Sequence, residues 1–86
     1  MLFIMNANEV ESQIRVGLSD VTDILVKTED EVHFYATVIS NDFIDKTQVA
    51  RQRQIYQILG EGISSGEIHA ISFKTYTKKE WEEVNA

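Results

Sequence analysis

The sequence predicts a small α+β domain with the element order αββαβα and a three-stranded mixed sheet whose helices pack on one face. Two segments carry apolar side chains four residues apart, which predicts helices. Residues 32–40 alternate apolar and polar side chains, and only four polar residues separate them from a β-branched segment, which predicts a hairpin. Because 86 residues give room for one domain, we assign residues 1–86 to it, with a flexible N-terminus at residues 1–7.

The first element is predicted to be a helix over about residues 9–17. Asn8 and Glu11 have the spacing of a capping box, in which each side chain accepts from the backbone amide of the other. Apolar residues then recur every four positions, and Gly17 is a stop signal.

Two strands follow this helix. Residues 21–27 are rich in β-branched side chains and predict the first strand, and residues 32–40 predict the second. In the second strand the phase of Phe34 is apolar and the phase of His33 is mostly polar, which indicates a half-buried strand. The short link at 28–31 predicts that the two strands are antiparallel.

The second helix is predicted to start at Asp45, with Gln48 as the reciprocal capping partner, and to end at Gly60. Its spacing predicts one apolar stripe, with Arg51 mostly off it. The stripe comprises Val49, Ile55, Tyr56, Leu59 and Ile63.

The last third of the chain predicts a strand and a short helix. Residues 68–76 form the strand, which the crossover rule places parallel to the second strand. Both of its phases hold apolar residues, so its buried face stays unassigned. Thr77 and Glu80 form a second capping box, and Trp81 in the helix that follows is predicted to pack onto the core.

The composition excludes several classes of protein. No cysteine is present, so neither a disulfide scaffold nor a thiolate metal site is possible. The net charge of −6 disfavours non-specific nucleic-acid binding, which depends on phosphate neutralisation. No apolar run reaches the roughly 18 residues that a membrane helix needs, and no signal peptide is legible, so we expect a cytoplasmic protein without membrane contact.

Three segments in order resemble the BolA-like family. They are HFYATVISNDF at residues 33–43, VARQRQIY at residues 49–56, and IHAISFKTYT at residues 68–77, followed by Glu80 and Trp81. The short link at 28–31 makes the chain most similar to the YrbA-type subgroup.

This resemblance implies a type II KH-like fold and no enzymatic activity. It implies a monothiol glutaredoxin as partner, with which the protein shares a bridging 2Fe–2S cluster that also uses glutathione. The isolated protein is expected to bind no cofactor and to be a monomer or a weak dimer. The functions implied are iron–sulfur cluster assembly or trafficking, or iron and stress regulation.

The resemblance also implies the iron ligands. His69, in the IHA segment, corresponds to the family's imidazole ligand. The second family ligand, His or Cys, lies in the loop between the first two strands, and this loop has neither. The second ligand is therefore His33 at the strand edge, or Asp30 or Glu31, or absent altogether.

Arg51, Arg53 and Lys46 are predicted to form a basic patch on the second helix. The patch is either a solvated helix face or a docking site for an anionic partner. The alternative function is a DNA-binding transcriptional regulator of the stress response that uses the KH-like fold. The net charge opposes it, as does Asp45, which replaces a family turn glycine and leaves no GxxG phosphate clamp.

Overall fold

The computed structural model describes residues 6–30, 32–60 and 70–86, and within them the predicted order αββαβα is confirmed. A single turn of 3-10 helix, Asn41–Phe43, follows the second strand. The helices are α1 (Ala7–Gly17), α2 (Gln48–Ile58) and α3 (Lys78–Val84), and the strands are β1 (Val21–Lys27), β2 (His33–Ser40) and β3 (Ala70–Tyr76).

The three strands form one mixed sheet in the order β1-β2-β3, as predicted. β1 pairs antiparallel with β2, and Lys27 lies opposite Tyr35. β3 pairs parallel with β2, and Ala70 lies opposite His33. The parallel pairing follows from the crossover through α2, because a hairpin turn cannot join parallel strands.

One face of the sheet packs against α1 and α2, as predicted for these two helices, but α3 packs on the other side, so the prediction that all helices share one face is wrong for α3. The alternation of β2 holds, with Phe34 buried and His33 and Tyr35 exposed. The structure also assigns the inward phase of β3, which the sequence left open, to Ile71, Phe73 and Thr75. The buried cluster comprises Val10, Ile14, Leu18, Ile24, Phe34, Ala36, Val38, Phe43, Ile55, Leu59 and Ile71.

The other side of the sheet, here called the open face, is partly covered by α3. Ile39 is fully buried although it belongs to the outward phase of β2, and it pairs with Tyr76. α3 contacts both strands, and the Trp81 ring meets the Tyr76 ring edge-on at 5.2 Å between centroids. Trp81 therefore packs onto the sheet by contacting Tyr76. The rest of the open face remains exposed.

α1 starts earlier than predicted. Its N-cap is Asn6, whose Oδ1 accepts from the backbone amide of Glu9 at 2.9 Å, so the prediction of Asn8 as the cap is wrong. Asn8 lies within the first turn. Residues 6 and 7 therefore belong to the helix terminus and not to the predicted flexible segment, while residues 1–5 lie outside the described residues.

α2 starts later than predicted. Thr47 caps it by accepting from the amide of Ala50, and Asp45 instead adopts a left-handed backbone with φ of 63°. An aspartate tolerates this left-handed region better than most residues do. Asp45 can therefore occupy the turn position at which the resembled family has a glycine. The predicted stripe is wrong for Val49 and Tyr56, which are exposed, and Ile63 lies outside the described residues.

Arg51 is buried, so its assignment to an exposed basic patch is wrong. Only 6% of its side chain is exposed. Its guanidinium donates to both Glu80 carboxylate oxygens, at 2.6 and 3.1 Å, and to the carbonyl oxygens of Lys46 and Thr75. The same group lies 5.8 Å from the centre of the Phe43 ring.

The outer edge of β3 is partly closed by α2. Arg51 donates to the carbonyl of Thr75, and the Tyr56 hydroxyl donates to the carbonyl of Ile71. Since Ala70 donates towards β2, the carbonyls of Ile71 and Thr75 point away from it, to the free edge. A strand added at this edge would have to displace both side chains.

Substitution of Arg51 by methionine is expected to destabilise the fold by about 2 kcal/mol, because hydrogen bonds to charged groups contribute about 1.5–3 kcal/mol each and the variant keeps the apolar stem. Arg53→Met on the same helix is the control, since Arg53 is exposed and makes no hydrogen bond or ion pair with the described residues. Urea unfolding monitored by circular dichroism measures the stability of both variants. Equal midpoints for the two variants would contradict the structural role of Arg51.

The Arg51–Glu80 pair also predicts a pH dependence. Hydrogen bonds from Arg51 lower the pKa of Glu80 from 4.5 to about 2. Because the folded pKa lies below the unfolded one, this stabilisation is complete above pH about 4.5 and is lost as the pH falls towards 2. Urea midpoints across this range should fall less steeply for Glu80→Gln than for the unmodified chain. Parallel profiles would exclude the linkage.

Candidate functional site

The candidate site lies where β2 begins, at the exposed end of the sheet. His33 is the first residue of β2, and 58% of its side chain is exposed. The following residue, Phe34, is buried in the core and fixes the strand in place. Strand alternation therefore directs the His33 ring to the open face.

Asp30 holds the His33 ring in a defined orientation. One carboxylate oxygen of Asp30 accepts from the backbone amides of Val32 and His33, at 3.0 and 2.9 Å. The other oxygen lies 2.8 Å from His33 Nδ1. An ionised carboxylate can only accept, so Nδ1 carries a proton, and in the neutral form of the ring Nε2 is the nitrogen with a free lone pair.

Asp30 is ionised because these contacts stabilise its charged form. The backbone hydrogen bond from His33 lowers its pKa most, followed by the bonds from the His33 ring and the Val32 amide, well below the usual range. A carboxylate that orients a histidine through Nδ1 is the common arrangement behind imidazole metal ligands. As a direct ligand, Asp30 has both oxygens already engaged.

The other predicted ligands, His69 and Glu31, lie outside the described residues. Ala70, which is bonded to His69 in the chain, pairs directly with His33. The register therefore places the residue that follows His69 directly beside His33, at the start of β2. Residues 6–30, 32–60 and 70–86 contain no group of three or more histidines, cysteines or acidic residues that could hold a metal by themselves.

The predicted basic patch retains only two exposed side chains. Lys46, which precedes α2, donates to Gln54 Oε1 at 2.7 Å, and Arg53, next to Gln54 on α2, is exposed. Two exposed apolar side chains, Ile44 and Val49, accompany them. The sequence pattern predicts that Val49 is buried, because Val49 fits a helical apolar stripe, and its exposure could not be predicted from that pattern.

A second set of exposed residues, on the open face, was not singled out from the sequence. Lys27, Tyr35 and Lys74 line a depression of about 360 Å³ across all three strands. Alternation separates the two faces of β2, but β3 has apolar residues in both phases, so the sequence did not place Lys74 on the same face as Tyr35. Recognising them as neighbours needed the strand register, which the sequence does not specify.

Comparison with known proteins gives the family. The BolA-like protein family matches residues 10–80. The chain belongs to the BolA-like family. The Escherichia coli K12 acid stress protein IbaG is 34% identical over 77 residues, which cover 90% of this chain and 89% of that protein.

Two further comparisons extend this assignment. The DNA-binding transcriptional regulator BolA of Vibrio cholerae is 40% identical over 55 residues, which cover 64% of this chain and 51% of that protein. The structure of a bolA protein homologue from Coxiella burnetii superposes with a TM-score of 0.77 at 34% identity, covering 92% of this chain and 99% of that one. The family prediction and the fold prediction are therefore confirmed.

No helix within the described ranges has both the length and the apolar character that are needed to cross a membrane. The three described helices have 11, 11 and 7 residues. A span of the hydrocarbon core needs about 20 residues.

Asp30→Asn is expected to invert the His33 tautomer. The asparagine oxygen can still accept from the backbone amides, but an amide donor then faces Nδ1, so the ring proton moves to Nε2. Long-range ¹H–¹⁵N correlation spectra of the free protein, at a pH where imidazole is neutral, distinguish the two tautomers directly. Asp23→Asn is the matched control, because Asp23 bonds only the amide of Ile24. An unchanged His33 spectrum in Asp30→Asn would refute the orienting role.

Proposed function

We propose that the chain is a non-enzymatic partner of a monothiol glutaredoxin and shares a 2Fe–2S cluster with it, in cluster assembly or trafficking or in iron and stress regulation. The observation that carries this proposal is the exposed His33 ring, held with Nε2 free at the strand end where Ala70 pairs with it. Membership of the BolA-like family supports it.

The donor set on this chain suits a shared cluster better than a resident one. His33 offers one borderline nitrogen donor, and His69 is proposed as the other. With no cysteine in the chain, the thiolates must come from the partner and from glutathione. Imidazole in place of thiolate raises the reduction potential of such clusters. When bound, the cluster supplies iron and sulfide for transfer, and the role of this chain is to hold and release it.

Docking of the partner is proposed to use two exposed cations, Lys46 in the turn before α2 and Arg53 on α2. Lys46 and Arg53 lie on an otherwise acidic chain and can steer an anionic surface. Arg51 is not part of this surface, because its guanidinium is already bound to Glu80. Its contribution is to hold α2 in place.

The proposal is tested by mixing the apoprotein with a cluster-loaded glutaredoxin and recording visible circular dichroism, with iron and sulfide assays. We expect a new spectrum with the unmodified chain, its loss with His69→Ala, and a weaker signal with His33→Ala. Ser12→Ala, an exposed position on α1, is the control. If both histidine variants gave the unmodified spectrum, the ligand assignment would fail. If no complex formed with any form of the chain, the partner assignment would fail.

The second candidate function is DNA-binding regulation, which the name of the Vibrio cholerae relative favours. The net charge of −6 opposes it. Fluorescence anisotropy with duplex DNA at two salt concentrations separates the two functions. Tight binding that weakens steeply with salt would support the regulator, because phosphate contacts release counterions.

A further inference from the structure

The open face of the sheet carries positive charge on an acidic protein. Lys27 on β1 and Lys74 on β3 both belong to the outward phase of their strands. Among the residues that the structure describes, no acidic side chain lines the depression between them. Neither lysine makes a hydrogen bond or ion pair with any residue that the structure describes.

Exposed apolar surface lies between these two cations. Tyr35 is 59% exposed and Leu25 is 46% exposed, although both stand on regular strands. Tyr35 lies opposite Lys27, and Thr37 lies between Leu25 and Lys74. The face therefore presents a cation, an apolar centre and a second cation along one diagonal.

The register fixes the length of that diagonal. Lys27 and Lys74 are two strand spacings apart and offset by two residues along β2. With about 4.8 Å between strands and about 3.3 Å per residue, their Cα atoms are about 12 Å apart. In an extended peptide, residues i and i+4 point to the same side and are about 13 Å apart.

We propose that the open face binds an extended acidic segment of another protein, with acidic side chains at positions i and i+4 and an apolar side chain at i+2. The carboxylates pair with Lys27 and Lys74, and the apolar side chain contacts Tyr35 and Leu25. The pairing complements two cations that have no ion-pair partner among the described residues.

Other occupants fit this face less well. Single-stranded nucleic acid binds through several stacked aromatic side chains, and the lining of the depression offers only Tyr35 for stacking beside the inward Phe73. A second copy carries the same net charge of −6 and is repelled overall. Among the described acids, Glu29 lines a neighbouring depression together with Lys27 and Tyr35, and Asp23 bonds the amide of Ile24.

The test is a titration of ¹⁵N-labelled protein with a blocked nonapeptide whose centre reads Glu-Xaa-Leu-Xaa-Glu, with serine and threonine elsewhere. We expect amide shifts concentrated at Lys27, Tyr35, Thr37 and Lys74, and an affinity that falls as salt rises. The double variant Lys27→Glu with Lys74→Glu should bind at least fivefold more weakly. A peptide with lysine in place of both glutamates should leave the spectrum unchanged.

The charge-matched control is Lys78→Glu with Lys79→Glu, which makes the same charge change on the exposed start of α3. It should bind as the unmodified chain does. The proposal is overturned if millimolar peptide leaves the open face unshifted, or if both double variants lose affinity equally. It is also overturned if oligo(dT) shifts these amides and the peptide does not, or if protein concentration alone shifts them, which would identify a second copy as the occupant.

Discussion

The contact between the Arg51 guanidinium and the Glu80 carboxylate determines how the second half of the fold is assembled. Through Arg51, α2 is joined to β3 at the Thr75 carbonyl, to α3 at Glu80 and to the preceding turn at the Lys46 carbonyl. A planar guanidinium satisfies these acceptors together, which a lysine ammonium cannot do with the same geometry. The same Glu80 completes the capping box of α3, so one carboxylate positions both the helix and the arginine.

This assembly decides which surfaces remain available. α1 and α2 cover one face of the sheet, and α3 covers the end of the other face around Ile39. The Arg51 and Tyr56 side chains donate hydrogen bonds to carbonyl oxygens on the outer edge of β3. What is left of the sheet is the part of the open face that begins at His33 and includes Tyr35. The described packing therefore leaves His33 and Tyr35 exposed on the same face of β2.

The sequence predicts the strands better than the helix ends, for a physical reason. The β-branched composition predicts β1 to the residue, and the period-two alternation predicts β2 to within one residue. Capping depends on which of several polar residues reaches the amides: Asn6 competes with Asn8, and Thr47 competes with Asp45. The burial of Arg51 was beyond local reasoning, because its partner Glu80 lies 29 residues away. The His33 orientation was missed likewise, although Asp30 is only three residues away, since an exposed acidic run usually indicates solvation.

The distribution of charge gives the open face a consequence for partner orientation. A chain with a net charge of −6 repels an anionic partner in most orientations, and the repulsion is weakest where unpaired cations are not offset by acids. Among the described residues, no acid lines the depression between Lys27 and Lys74, and His33 lies two residues before Tyr35 in the same outward phase. In the proposed complex, a cluster held by thiolates and sulfide would be anionic, so the electrostatics proposed to admit an acidic segment would also favour approach of the cluster from the His33 side. The two lysines would then set the direction of approach, and Asp30 orients the His33 ring at that strand end.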